Sequence, residues 1–356
     1  MNKLDNLFAI NKLDCQQVAE SLTLFPEQLI SGWQSSKAIK LPSTYKKNTE
    51  IIFCGMGGSN LASEMLRDIY GTKIIKPIIL VRNYNLPSFA SNNSLIIISS
   101  YSGNTEETIS CLKQAIKIKA KIIVITSGGK ILTIAKKNNL PIIKIDTKLN
   151  PSQQPRYGLG LQLGAILELI NNLEEIKLDE KNFKNSCQRI KIIETELLPV
   201  IKKEKNIAKQ LALSLTKKII FITAGEHLKS NAHILANQIN ESAKQLAMPF
   251  HIPELNHHLL EAFSYPSQVI KNCLLLSLTS PLYEKKIQKR FFATGKIFHQ
   301  LKIKHLILES SANNYLDSAL EILIYGSWVS FYLAILNNKN PASIPWVESF
   351  KKELKT

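Results

Sequence analysis

Short apolar runs rich in Ile and Val recur through the first half of the chain, at 51–54 (IIFC), 77–82, 95–99, 121–126 and 141–145. Helical patterns lie between them, from about Ser59 to Tyr70, over 105–118 and over 130–138. Buried strands alternating with helices pair in parallel and need helices on both faces of the sheet. The chain is therefore expected to be α/β, with a doubly wound parallel sheet flanked by helices.

The plan is then repeated. Residues 218–223 (KIIFIT) read as a strand, and "AGEHLKSN" leads into a helix over about 229–246. Residues 273–278 and 304–309 are further strands, with a helix near 283–300 between them and a long last helix over roughly 314–337. The stretch 161–213 has helical periodicity and no strand signal. The expected organisation is a helical lead-in (1–30), a first α/β domain (31–160), linking helices (161–213), a second similar domain (214–338) and a C-terminal tail (339–356). In that tail "NPASIP" stops the helix, and "WVESFKKEL" makes a short amphipathic turn or two.

A chain of 356 residues, 45% of them hydrophobic, has material for one large or two medium cores. Its net charge of +17 raises nucleic acid as a partner. The lysines are scattered beside Ile and Leu, however, with no Arg-rich tail and no alternation of aromatic and basic residues. The charge is read as a general attraction for anions, phosphorylated metabolites included, with no nucleic acid expected. Five cysteines (15, 54, 111, 187, 273) lie far apart without a CxxC, and the N-terminus has no long apolar core, so a reducing cytoplasm is expected. No metal-ligand spacing is present, and no metal or organic cofactor is expected. The longest uncharged stretch, 322–336, falls short of the roughly 18 residues that suggest a membrane span. It reads as a buried helix, and no membrane partner is expected.

Two strand ends carry unusual loops. "GMGGSN" (55–60) follows the strand at 51–54, and "SYSGNT" (100–105) follows that at 95–99. In open α/β sheets, ligands bind beyond the carboxyl ends of the strands. Glycines let the backbone approach an anion, the next helix turns its N-terminus towards it, and hydroxyls add donors. Neither loop is a dinucleotide fingerprint or a P-loop. Singly, Ser59 or Thr105 could simply cap a helix. Together, at two strand ends of one half, the loops point to a phosphate or phosphosugar, with Gly58, Ser59, Ser100, Ser102 and Thr105 as the binding residues.

"GMGGS" and "SYSGNTEET", with "PR" at 155–156, resemble the sugar isomerase (SIS) domain. With "QINESAK" (238–244) and "ELNHH" (254–258), they make nearly the whole chain similar to the bifunctional phosphoglucose/phosphomannose isomerase family. The resemblance implies two SIS domains and interconversion of aldose 6-phosphates with fructose 6-phosphate through a cis-enediol. It implies Glu241 as the base, His257 in ring opening, and Lys351 and Arg156 as cations around the sugar. It also implies a homodimer with the site near the interface.

The residues taken alone give a plainer picture. Glu241 falls opposite the stripe of Leu235, Ile239 and Leu246, on what reads as a solvated helix face. His257 falls in a loop, and Lys351 is one of two adjacent lysines in a basic tail. Arg156 is better placed, in a proline-bounded loop after the last strand of the first half. The chain departs from the family pattern at Asn60, at His258 and in "RYGLG". The resemblance implies that a small hydroxyl residue in the tail sorts glucose from mannose phosphates, and Ser343 is the nearest candidate. An aminosugar-phosphate isomerase and a non-catalytic phosphosugar-binding regulator stay open as alternatives. The first lacks an ammonia-supplying domain here, and the second lacks a DNA-reading helix-turn-helix.

Overall fold

The structure, a computed structural model, describes residues 3–354, so two residues at each end of the expected lead-in and tail lie outside the described residues. The chain forms two compact units. One is Leu24–Arg189; the other joins the chain up to Thr23 with the chain from Ile190 onward.

The first unit opens with helix α1 (Phe25–Lys37). Then follow β1 (Ile51–Cys54), α2 (Gly58–Tyr70), β2 (Ile78–Val81), β3 (Leu95–Ser100), α3 (Glu106–Lys117), β4 (Lys121–Thr126), α4 (Gly129–Lys137), β5 (Ile142–Lys144) and α5 (Leu159–Asn172). The five strands are all parallel, in the order β2-β1-β3-β4-β5. β1 and β3 are buried along their whole length, as the apolar runs IIFC and LIII require, and the burial extends over Ser99 and Ser100. One face of the sheet packs Ile52, Ile96 and Ile122 against Leu112 of α3 and Ile131 of α4. Helix α5 is buried from Leu159 to Ile170 and crosses α1 at very short range. A Cβ on Gly32 would stand 2.1 Å from the Leu161 carbonyl oxygen, and one on Gly164 2.0 Å from that of Leu29. The two backbones touch because neither glycine has a side chain to hold them apart. Helix α5, which begins the stretch read from sequence as linking helices, thus belongs to the packed body of the first unit.

The second unit contains α6 (Ile207–Leu215), β6 (Ile219–Ala224), α7 (Lys229–Gln238), β7 (Ala247–His251), β8 (Cys273–Thr279), α8 (Lys285–Gln300), β9 (Lys304–Glu309), α9 (Tyr315–Leu336) and α10 (Pro345–Glu353). Its sheet is parallel, in the order β7-β6-β8-β9. Helix α9 has 22 residues and is long and apolar enough to cross a membrane, but 89% of its apolar window is buried inside the fold. Trp328, Phe331 and Tyr332 are buried ring against ring on it. Ser327 and Ser330 satisfy their hydroxyls on carbonyls of the same helix, at Leu323 and Ser327.

Two local expectations change. The helix expected to run to 246 gives way at Ile239–Ala243 to a π-helical turn, and Lys244 then turns left-handed at φ 52°. Leu246, placed on the apolar stripe, is 55% exposed. The residues that follow form β7, a strand that sequence reading missed. It contains Pro249, which a sheet tolerates because β7 is an edge strand.

Substituting Gly164 by Val tests the α1–α5 contact. The added methyls meet backbone, which cannot rotate away. Stability in urea should fall by the upper part of the ~1–3 kcal/mol typical of overpacking, or more. Val at Gly128, where a Cβ meets nothing within 4 Å, is the control.

Candidate functional site

In the first sheet the strand order reverses between β1 and β3, so the chain leaves those two strands in opposite directions. This switch point opens a crevice beyond their carboxyl ends. Both hydroxyl-rich loops lie there. They are tied by one hydrogen bond: the Tyr101 N–H donates to Ser59 Oγ at 2.9 Å. Ser59 is therefore a brace between loops as well as a hydroxyl in the crevice.

Thr105 is the residue before α3, yet its side chain makes no capping bond. Its Oγ1 lies 3.1 Å from Ser100 Oγ, which also accepts from the Gly103 N–H at 3.1 Å. Ser102 is exposed, and its Oγ accepts from the Asn104 N–H at 3.3 Å. A hydroxyl that accepts one bond keeps its own proton to give. Ser59, Ser102 and one member of the Ser100–Thr105 pair can therefore still donate to an anion. Gly103 has φ +68°, and a Cβ there would stand 1.7 Å from the Gly128 carbonyl oxygen, so only glycine fits this bend.

Tyr101, 5% exposed, organises the loops behind the crevice. Its carbonyl accepts from Ser127 Oγ at 2.5 Å, and its hydroxyl accepts from Asn150 Nδ2 at 2.8 Å. Asn150 Nδ2 also donates to the Gln154 carbonyl at 3.0 Å, which fixes the approach to Pro155–Tyr157. Arg156 in that turn is 4% exposed, donates to Gln154 Oε1 at 3.1 Å and lies 5.0 Å over the Tyr157 ring. A Cβ on Gly58 would be 3.2 Å from Pro155 C and 3.3 Å from Arg156 N. The fold thus brings Gly58, Ser59, Ser100, Ser102, Thr105 and the Arg156 turn together in one unit. Sequence reading missed Tyr101 and Asn150; the Tyr inside "SYSGNT" was the available signal.

Glu241, His257 and Lys351 belong to the other unit. Glu241 is half-buried on the π-helical turn, not on the solvated face of a continuing helix. π-Helical turns are rare and recur at functional sites. This one is firmly held. Asn240 exchanges two bonds with the backbone of Ala247, 2.9 and 2.8 Å. Asn337 Nδ2 donates to the Ala243 carbonyl at 3.0 Å, and Lys244 Nζ to the Asn340 carbonyl at 2.6 Å.

His257 is exposed on a one-turn helix, Leu255–His258, rather than in a loop. Buried Leu255 anchors that turn, as does Asn256, whose Nδ2 donates to Thr294 Oγ1 at 2.8 Å. Lys351 is exposed on α10, whose Trp346 and Phe350 are 85% and 62% exposed. Among the described residues no group of three or more His, Cys, Asp or Glu side chains could hold a metal ion.

The second sheet has the same reversal between β6 and β8, but its crevice is filled. The Gly225 N–H donates to the Tyr283 hydroxyl at 3.1 Å, which itself donates to the Leu278 carbonyl at 3.0 Å. His227, 2% exposed, stacks on Tyr315 at 4.4 Å between ring centroids and meets Tyr283 edge-on at 5.3 Å. Its Nε2 lies 3.1 Å from Ser318 Oγ. Rings occupy the place that hydroxyls line in the first sheet.

Two parallel sheets of this topology, with a hydroxyl-lined crevice at one switch point, define a fold of the sugar isomerase type. Among solved structures, a hypothetical protein of Thermus thermophilus aligns with TM-score 0.77 at 14% identity, covering 98% of this chain and 93% of that one. Tagatose-6-phosphate ketose/aldose isomerase of Escherichia coli aligns with TM-score 0.67 at 13% identity, covering 93% and 95%. Residues 204–354 match the family described as the bacterial phospho-glucose isomerase C-terminal SIS domain. The bifunctional phosphoglucose/phosphomannose isomerase of Aquifex aeolicus is 31% identical over 86% of this chain and 90% of its own length. That of Caldicellulosiruptor bescii is 28% identical over 94% and 98%. The chain belongs to the bifunctional phosphoglucose/phosphomannose isomerase family.

The filled crevice has a pH signature. Burial pushes the His227 pKa down to about 4, below its ordinary value of 6.5. Between those values the unfolded chain binds a proton that the folded one refuses. The stability is therefore complete above pH 6.5 and is lost as pH falls towards 4, by about 3 kcal/mol at most for this group. Urea unfolding of the wild type across that range should show the slope, and His227→Gln should reduce it.

Proposed function

We propose that this protein is an aldose–ketose isomerase that interconverts glucose 6-phosphate, mannose 6-phosphate or both with fructose 6-phosphate through a cis-enediol. The observation that carries the reading is the cluster of four hydroxyls at the β1/β3 switch point, in a chain whose relatives bear the isomerase name. The phosphate sits among Gly58, Ser59, Ser100, Ser102 and Thr105. Their hydroxyl protons and the first turn of α3 face its negative charge.

The chemistry moves one proton between C2 and C1. Glu241 takes the C2 proton of the open-chain aldose, leaving an enediolate; the O2 proton passes to O1, and Glu241 returns a proton to C1 as the C2 carbonyl of the ketose forms. A carboxylate suits the task because it can accept a proton and give one back within one turnover. His257 opens the ring by giving a proton to the ring oxygen while the anomeric hydroxyl loses one, which an imidazole can mediate near neutral pH. Arg156 and Lys351 place positive charge beside the enediolate oxygens. No metal or organic cofactor is required by this scheme.

The active assembly is a homodimer in the cytoplasm. The aromatic side chains exposed on α10 beside Lys351 support the first part, and five free cysteines the second.

A coupled assay with fructose 6-phosphate, following glucose 6-phosphate and mannose 6-phosphate separately, tests the reaction; failure to form either overturns it. Within it, Ser102→Ala and Thr105→Ala should raise KM more than they lower kcat, each by the ~1.5–3 kcal/mol of a lost charge-assisted bond. Unchanged KM in both would move the phosphate elsewhere. Glu241→Gln should bind substrate yet lose about 10²–10⁴-fold in kcat. NMR of glucose 6-phosphate in deuterated water should show label entering C2 with the wild type and not with this variant. Label entering at the wild-type rate would remove Glu241 from the role.

A further inference from the structure

The two sheets differ at one edge. In the first, β4 is followed by α4 and β5. Helix α4 covers the outer part of the sheet with Ile131 and Ala135, and β5 pairs with β4 from Val124 to Thr126. In the second, β9 passes directly to α9, so nothing equivalent to α4 and β5 exists and β9 ends the sheet. The consequence is large at matched positions: Val124 of β4 is fully buried, whereas Ile307 of β9 is 60% exposed.

This leaves an open groove of about 740 Å³ between α8 and the ends of β8 and β9. Phe291, Phe292 and Ile307 supply its apolar lining, with Lys296, His299 and His305 beside them. Phe292 is 67% exposed and carries the Lys296 ammonium 4.5 Å from its ring centroid.

The rim also offers backbone. The Ser310 N–H donates to the Thr279 carbonyl at 2.9 Å, so the even-numbered residues of β9 turn their peptide groups towards β8. In a parallel ladder these groups alternate in direction. Those of His305, Ile307 and Glu309 therefore point to the open edge. An edge of this kind is a template for another strand.

The helix that walls the groove is basic, and of its cations Lys296 lines the groove itself. Helix α8 contains Lys285, Lys286, Lys289, Arg290 and Lys296 and no acidic residue. Glu309 is the one acidic residue among those that line the groove.

We propose that this groove binds an extended acidic peptide segment of a partner protein, which adds as a strand beside β9 and sets alternate apolar side chains on Phe292 and Ile307. Main-chain bonds to the open edge supply affinity, and the basic helix selects the charge. The place is the one that β5 fills within the first sheet. None of the residues lining the groove is among those assigned to catalysis.

Fluorescence anisotropy with a fluorescein-labelled octapeptide of alternating Glu and Val tests this, with a Lys–Val octapeptide as the charge control. Ile307→Pro removes an outward N–H that the sheet does not use, and Phe292→Glu adds negative charge to an exposed position. Saturable binding of the acidic peptide, weakened about tenfold or more by each variant and absent for the basic peptide, supports the proposal. Circular dichroism checks the fold; if Ile307→Pro does not fold, Phe292→Glu decides. No saturable binding, equal binding of the basic peptide, or binding indifferent to the folded variants overturns it. Self-association in sedimentation velocity that Ile307→Pro abolishes and the acidic peptide does not compete would also overturn it, by giving the edge to a second copy of the chain.

Discussion

A single hydrogen bond, from the Tyr101 N–H to Ser59 Oγ, joins the two loops that leave the first sheet at its switch point. Strands β1 and β3 are neighbours, but the chain departs from them in opposite directions, and nothing in the sheet itself holds their loops together. The bond does so, and Tyr101 extends the hold. Its hydroxyl meets Asn150, and Asn150 fixes the Gln154 carbonyl ahead of the Arg156 turn. Gly58 completes the circuit by letting that turn come within van der Waals range of the first loop. The crevice is rigid because its hydroxyls are braced by one another and by backbone, while protons remain for a ligand.

The second half keeps the brace and changes what it encloses. There the Gly225 N–H meets the Tyr283 hydroxyl, so a backbone donor from the loop after one strand again meets a side-chain oxygen from the loop after its neighbour. Aromatic rings then close the space around His227. One copy of the fold thus keeps a polar crevice and the other has become core. The second half also holds the π-helical turn of Glu241, fixed by Asn240 and by Asn337 just beyond the end of α9. The two sheets share one frame, and different side chains at equivalent strand ends leave one crevice polar and fill the other.

Much of the fold was legible in the sequence because parallel strands buried on both faces must be continuously apolar. The runs at 51–54, 95–99, 121–126 and 304–309 mark their strands to within a residue. β7 was hidden because AMPFH is short, contains a proline and follows a segment with helical periodicity. The residues of the crevice were legible for a similar reason. Small hydroxyl residues crowded at a strand end have few structural uses, and both loops do meet at one crevice. Glu241 becomes a candidate only through family resemblance, since its local pattern reads as an ordinary solvated helix face.

By itself, the sequence determined the class of fold, the duplication, the two loops of the crevice and the buried character of the last long helix. Each follows from local apolar period or local composition, which act along the chain. Only the tertiary structure decided that α5 packs backbone to backbone on α1 through Gly32 and Gly164, that the helix before β7 ends in a π-helical turn, that the second crevice is filled, and that the edge of β9 stays open. These depend on contacts between residues far apart in sequence, where steric fit and the satisfaction of backbone groups outweigh what any local pattern favours.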